Sequence, residues 1–176
     1  LTRRRGVGTI VSPRHVHRPM ELTSLMRDLV NAGHKVHTTI QHYEARPATA
    51  QEADTLKITE GTLVVHIERT RFADNEPIAV LTNLIPADIA PTMQELESAS
   101  LYDLMRERGV TLASARQIIG ARSATTKEAK LLSEHRGAAL LTSQRTTYDP
   151  SGRIVECGNH IYRASRYSFE ASLFAQ

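Results

Sequence analysis

"LVVHIERTRFADNEPIAVLTNLIP" (63–86) decides how this chain folds. Two runs of strand-forming residues flank Ala73-Asp74-Asn75-Glu76-Pro77, so the stretch reads as a β-hairpin with Asp74-Asn75 at its tip. Alternation along the first run places Leu63, Val65 and Ile67 on one sheet face and continues that face into Arg69 and Arg71. Val64, His66, Glu68 and Thr70 take the other face. A guanidinium that continues an apolar face needs a partner, because desolvating an unpaired charge is strongly unfavourable. That partner is either a carboxylate of the protein or an anion brought to the site. With a two-residue turn, Ala73 faces Glu76 and Arg71 faces Ile78, so Glu76 is expected on the arginine side.

A second hairpin, 139–163 around Asp149-Pro150-Ser151-Gly152, repeats the arrangement. Pro150-Ser151 at its tip would set Arg145 opposite Glu156, and Tyr162 shares the parity of Glu156. Arg69, Arg71, Glu76, Arg145, Glu156 and Tyr162 are therefore expected on one concave face. Such a set offers planar donors for an anion, carboxylates for hydroxyl or amino groups, and a phenol to cover a ring.

The remaining segments supply helices between strands. Leu22, Leu25, Met26, Leu29 and Val30 follow a helical period that Gly33 closes, and 36–46 reads as a strand. Thr49 with Glu52, and Thr125 with Glu128, have the spacing of capping boxes. Ser100 starts an amphipathic helix through Leu101, Leu104 and Met105 that Gly109 stops, and a strand follows at 110–122. The order α-β-α-β-β-α-β-α-β-β predicts an α+β domain on a largely antiparallel sheet with helices between strands.

Composition bounds the function. A chain of 176 residues suits one globular domain, and 40% hydrophobic with 23% charged residues argues against disorder. No apolar run is long enough to span a bilayer, no signal peptide is visible, and the lone Cys157 suits a reducing cytoplasm. Much of the formal charge of +3 comes from Arg3, Arg4, Arg5, Arg14 and Arg18, so the body of the chain is not expected to bind DNA. There is no glycine-rich phosphate loop and no nucleophile elbow, so no catalytic residue is assigned. His15 with His17, and His34 with His37, lack further ligands at metal-site intervals, so neither a metal nor a cofactor is expected.

Several motifs together resemble a known family. "RTRFADNEPIAVLTNLIP" (69–86), "SASLYDLMRERGV" (98–110) and "LLTSQRTTYDPSGRIVECGNHIYRASRYSF" (140–169) are similar, in that order, to motifs of the UTRA effector domain of GntR-superfamily regulators of the HutC subfamily. "RRRGVGTIV" (3–11) resembles the last wing strand of their winged helix-turn-helix, and the chain's opening reads as the edge of a fragment. The resemblance implies a wing remnant at 1–12 with Arg3, Arg4, Arg5 and Gly6 as its DNA-contacting residues. It further implies a linker at 13–18 and an effector-binding domain of chorismate-lyase-like fold at 19–176. The implied protein is a cytoplasmic homodimeric repressor, not an enzyme, whose operator contacts lie in an N-terminal domain absent from this chain. The implied ligand is a small anionic metabolite, an amino-sugar 6-phosphate or other sugar phosphate being favoured. Arg69 and Arg71 with Thr38 would hold the anionic group, while Glu76, Tyr102, Glu156 and Tyr162 would contact the remainder and Arg145 would assist. The alternatives are an amino-acid-derived or other small carboxylic acid as effector, a chorismate-lyase-like enzyme, or a dimerisation module with an empty pocket. The family's usual aromatic ahead of the first helix is replaced here by Met20 and Leu22.

Overall fold

The computed structural model describes residues 2–3, 9–10, 16–19 and 22–171. Arg4, Arg5 and Gly6 therefore lie outside the described residues, and Arg3 is described only as backbone. Strand β1 (Thr2–Arg3) pairs antiparallel with β2 (Thr9–Ile10). Strand β3 (Val16–Pro19) pairs parallel with β10 (Tyr167–Glu170).

The body is one six-stranded sheet. Strands β4 (Val36–Pro47), β5 (Leu63–Ala73), β6 (Glu76–Pro86), β7 (Ser114–Ser123), β8 (Ala139–Tyr148) and β9 (Ile154–Arg163) lie in the order β4-β5-β6-β9-β8-β7. Every neighbouring pair is antiparallel. The α+β class and the antiparallel sheet follow the expectation from sequence. Asp74 and Asn75 take φ of 51° and 65°, the left-handed pair that a two-residue hairpin turn requires. The Asp74 carboxylate also accepts the Lys35 backbone N–H at 2.9 Å, which ties the start of β4 to the turn.

Among the described residues five short helices punctuate the strands, each opened by a hydroxyl side chain. Ser24 caps α1 (Leu25–Asn31), and Ser100 caps α4 (Leu101–Glu107). Full capping boxes begin α2 (Ala50–Leu56), α3 (Met93–Ser98) and α5 (Thr126–Leu131). The sequence reading missed α3, which spans six residues and buries only Leu96, too little for a period to show. Its signal was the Thr92-x-x-Glu95 box. Helix α1 begins only after Ser24, so Leu25 and Leu29 form its buried stripe, while Val30 is 52% exposed rather than part of the core.

These helices cover both sheet faces. On one face α3 and α4 bury Leu96, Leu101 and Met105 against Val65 and Ile67 of β5. Beside them α1 packs Leu25 and Leu29 on Ala79, Leu81 and Tyr162. On the reverse face α2 covers Val64 and Cys157, and α5 covers Val80 and Leu140. Two bidentate pairs pin the reverse-face helices to neighbouring strands: Arg46 donates to both oxygens of Glu52 at 2.7 Å, and Arg122 to both of Glu128 at 2.7 and 2.6 Å. The same two carboxylates accept their capping hydroxyls, and the arginine hydrogen bonds are the main cause that holds both carboxyls down at about 2. A carboxylate whose folded pKa lies below its unfolded value stabilises fully above the unfolded value and loses that stabilisation as pH falls through the folded one. Thermal unfolding followed across acid pH should therefore show stability dropping between about pH 4.5 and 2. The Glu52→Gln/Glu128→Gln double variant should start less stable at neutral pH and show a flatter decline.

A cationic cleft between the first hairpin and the fourth helix

The middle of β5 delivers two arginines to the face covered by α1 and α4. Arg69 and Arg71 are each only 2% exposed. Arg69 Nη2 donates to Asn83 Oδ1 at 2.7 Å, and Arg71 Nη1 donates to Thr38 Oγ1 across the β4–β5 pair. Among the described residues, Nε and Nη1 of Arg69 and Nε of Arg71 have no hydrogen-bond partner, and neither guanidinium forms a salt bridge. Burial pushes both groups down, Arg69 to about 10 and Arg71 to about 9, with the Arg69 charge adding to the effect on Arg71. Both remain cationic at neutral pH.

A third guanidinium closes the set. Arg145 of β8, 6% exposed, donates through Nε to Gln117 at 2.7 Å and through Nη1 to the Tyr102 hydroxyl at 3.4 Å. Against these three stands one carboxylate, Glu156, fully buried in β9. It accepts from Asn83 Nδ2 at 2.6 Å, from Thr147 Oγ1 at 2.8 Å and from the Tyr102 hydroxyl at 3.2 Å. Burial pushes the Glu156 carboxyl up, and the Thr147 and Asn83 donors together with the Arg145 charge oppose that. Burial also pushes the Tyr102 phenol up to about 12, so it stays a neutral donor. The cleft thus carries an excess of positive charge and unpaired N–H donors.

Asn83 holds the floor together. Arg69 fixes the orientation of its amide by donating to Oδ1, so Nδ2 must be the group that faces Glu156 and, at 3.3 Å, His160 Nε2. Nε2 is then an acceptor, and the imidazole proton sits on Nδ1, 3.3 Å from the Tyr162 hydroxyl. Gly158 lies between the two side chains. A Cβ there would fall 2.5 Å from Glu156 Oε1 and 2.6 Å from His160 Nε2, so no larger residue lets them close.

The structure brings Thr38, Arg69, Arg71, Tyr102, Arg145 and Tyr162 together. Two expectations fail. Glu76 is not on the arginine side, because a register shift between Arg71 and Phe72 sets Arg71 against Ala79 and disrupts the alternation counted from the turn. Its carboxylate accepts from Arg163 at 3.2 Å and Arg166 at 3.4 Å at the end of the sheet. Arg145 pairs with Gly158, and Thr147 with Glu156, because the second hairpin also shifts register, between Thr147 and Tyr148. The change keeps parity, so Glu156 stays on the arginine face, where it accepts from Asn83, Thr147 and Tyr102 without itself lining the cleft. Asn83 and His160 line the cleft and were not singled out from sequence. The signal for Asn83 was available, since it is the polar residue at the arginine-face parity of β6, between Leu81 and Ile85.

Thr23, Ser24, Leu25 and Met26 complete the lining, and the free space within the cleft is about 40 Å³, room for a water molecule or two. Among the described residues no group of three His, Cys, Asp or Glu is placed to hold a metal ion, and no helix is long and apolar enough to cross a membrane.

The UTRA domain profile matches residues 31–168, which contain both hairpins and all three cleft arginines. The transcriptional repressor NagR of Bacillus subtilis is 30% identical over 172 residues, covering 96% of this chain and 71% of that protein. A solved structure from Streptomyces coelicolor, described as a transcriptional regulator, is 48% identical with a TM-score of 0.72, covering 81% of this chain and 96% of that one. The structure of PhnF from Mycobacterium smegmatis shares the fold at a TM-score of 0.87 and 24% identity, covering 99% of this chain and 78% of that one. With its sheet order, its buried arginine pair and these likenesses, the chain belongs to the UTRA family, the effector-binding domain of GntR-family transcriptional regulators of the HutC, NagR and PhnF type.

Proposed function

We propose that the cleft binds a small phosphorylated metabolite, an amino-sugar 6-phosphate or related sugar phosphate, and releases it unchanged. The carrying observation is the uncompensated charge: Arg69, Arg71 and Arg145 face the single buried carboxylate of Glu156, a surplus matched by a phosphate dianion. Arg69, Arg71 and Thr38 are the residues we assign to the phosphate. Tyr102, Arg145, His160 and Tyr162 are assigned to the remainder, with Asn83 and Glu156 holding them in place. Ligand pockets usually run to about 300–1,000 Å³. The segment 23–26 therefore moves outward on binding, and because α1 follows β3 directly in the chain, that movement reaches the N-terminal strands.

The whole regulator, in this reading, is a cytoplasmic repressor in which two copies act on paired operator half-sites. Residues 1–12 are the remnant of its DNA-binding wing, 13–18 a linker, and 19–176 the effector domain, with operator bases read by a helix-turn-helix outside this chain.

Glucosamine 6-phosphate at about 100 times its Kd should add roughly 2.7 kcal/mol of stability and raise Tm by about 5–10 °C. Arg71→Ala should abolish the shift, whereas Arg153→Ala, at an exposed pair with Asp88 away from the cleft, should keep it. A silent response to glucosamine 6-phosphate, other sugar phosphates and inorganic phosphate alike would sink the phosphate assignment. Chromatography after prolonged incubation should recover the ligand intact, and conversion of chorismate to 4-hydroxybenzoate would establish an enzyme instead. Asn83→Ala strips Arg69 of its side-chain acceptor and Glu156 of a donor, so chemical denaturation should show a loss of about 2–3 kcal/mol. Equal stability of that variant would show that water replaces the amide without cost.

A further inference from the structure

The reverse face of the sheet carries a groove that the cleft leaves unused. There α2 packs on Leu84 and Cys157 and α5 on Val80 and Ile161, and a polar row runs between these two apolar ones. Strand pairing sets Glu68, Thr82, Asn159 and Gln144 side by side in that row, across β5, β6, β9 and β8. Each is the chain neighbour of a cleft residue, Arg69, Asn83, His160 or Arg145, and alternation turns the two to opposite faces. Groove and cleft thus stand back to back on one sheet. The groove has a free volume of about 480 Å³, within the range of small-molecule sites, where the cleft has about 40 Å³. At its β7 end Gly120 keeps the floor low, because a Cβ there would fall 3.0 Å from Thr142 Oγ1.

We propose that this groove is a second ligand site and that its ligand is a neutral sugar. Charge narrows the choice. Both cations of the wall are matched within the protein, Lys127 by Glu68 at 3.3 Å and Arg122 by the bidentate Glu128, so the groove offers an ion no free counter-charge. What remains is neutral and two-sided. The Asn159 and Gln144 amides each supply donors and an acceptor, and Thr82 and Thr142 each supply a hydroxyl that does either. Among the described residues none of these four side chains has a hydrogen-bond partner. A sugar hydroxyl also donates and accepts, so it satisfies both ends of an amide, whereas an anion only accepts. Leu131 of α5 and Ile161 of β9 add an apolar flank for the C–H face of the ring. Asparagine is depleted from strands, yet Asn159 sits mid-strand in β9 with a paired strand on each side, and it is the one exposed residue of that strand. A ligand contact accounts for that placement.

The groove stands independently of the cleft and is tested separately. NMR titration of the isotope-labelled 176-residue chain with glucose, and with maltose, should shift the side-chain amide signals of Asn159 and Gln144 saturably. The side-chain amide of Asn83, on the cleft face, should stay in place. Asn159→Leu and Gln144→Leu should each weaken glucose binding by roughly tenfold or more, the loss of hydrogen bonds to one side chain. Asn159→Asp keeps the shape of the side chain and removes its donors, so it should weaken binding as well. Arg71→Ala should bind glucose as the parent does, and inorganic phosphate should leave the Asn159 and Gln144 signals unmoved. No saturable response to either sugar, a response confined to the Asn83 amide, full glucose affinity in Asn159→Leu, or a phosphate response in the groove would each overturn the assignment. The glucosamine 6-phosphate thermal shift should persist in Asn159→Leu, which shows that variant folded with its cleft intact. A parent chain silent to glucosamine 6-phosphate counts against the cleft reading alone.

Discussion

Two buried cations with no salt-bridge partner among the described residues set the terms for the rest of this structure. Arg69 and Arg71 sit where the apolar stripe of β5 would otherwise continue, and three of their nitrogens have no partner among the described residues. Burial of that kind is costly, and a fold retains it only where surrounding structure over-determines the geometry. Here the over-determination is visible. Asn83 holds Arg69, Thr38 holds Arg71, and Glu156 is itself held by three donors below the floor. The guanidinium groups cannot turn aside to find water or a carboxylate, so their donors stay aimed into the cleft.

The scaffold around them is built for rigidity at low cost in sequence. Each helix has only six or seven residues, too short to be stable alone, and each is opened by a serine or threonine cap. Arg46 and Arg122 then reach from strands to the capping glutamates of α2 and α5, so one carboxylate closes a helix start and anchors it to the sheet. These exposed and half-exposed pairs differ in kind from the cleft arginines: they have partners, and they stabilise. Arg163 shows the same contrast within one strand, since it is buried but matched by Glu76 and Glu134, while its neighbour Tyr162 faces the cleft.

Tyr162 also joins the cleft to the small β3–β10 sheet. Its ring stacks on Tyr167 at 4.3 Å, and Phe169 meets both rings edge-on. Because β10 pairs with β3, the wall of the cleft and the strand that leads back to the N-terminal hairpin share one aromatic cluster. Packed aromatic clusters pass on displacements as discrete repacking, which suits a domain whose ligand must be felt elsewhere.

The sequence by itself determined the class of fold, both hairpins, the left-handed turn at Asp74-Asn75 and two of the three capping boxes. All of these depend on local rules, namely alternation, turn chemistry and a four-residue cap spacing, that need no knowledge of the rest of the chain. It also put Arg69 and Arg71 under suspicion, because a charge on an apolar stripe violates a local rule. Only the tertiary structure decided which groups meet those arginines. The register shift at Arg71/Phe72 sent Glu76 to Arg163, and the one at Thr147/Tyr148 set Thr147 rather than Arg145 opposite Glu156. A shift in register reflects how a whole hairpin settles between its neighbours, and one extra residue is enough to break a parity count made from the turn. Asn83 and His160 escaped notice for the same reason: their importance lies in partners 14 and 77 residues away from Asn83, which packing brings together and no local pattern records.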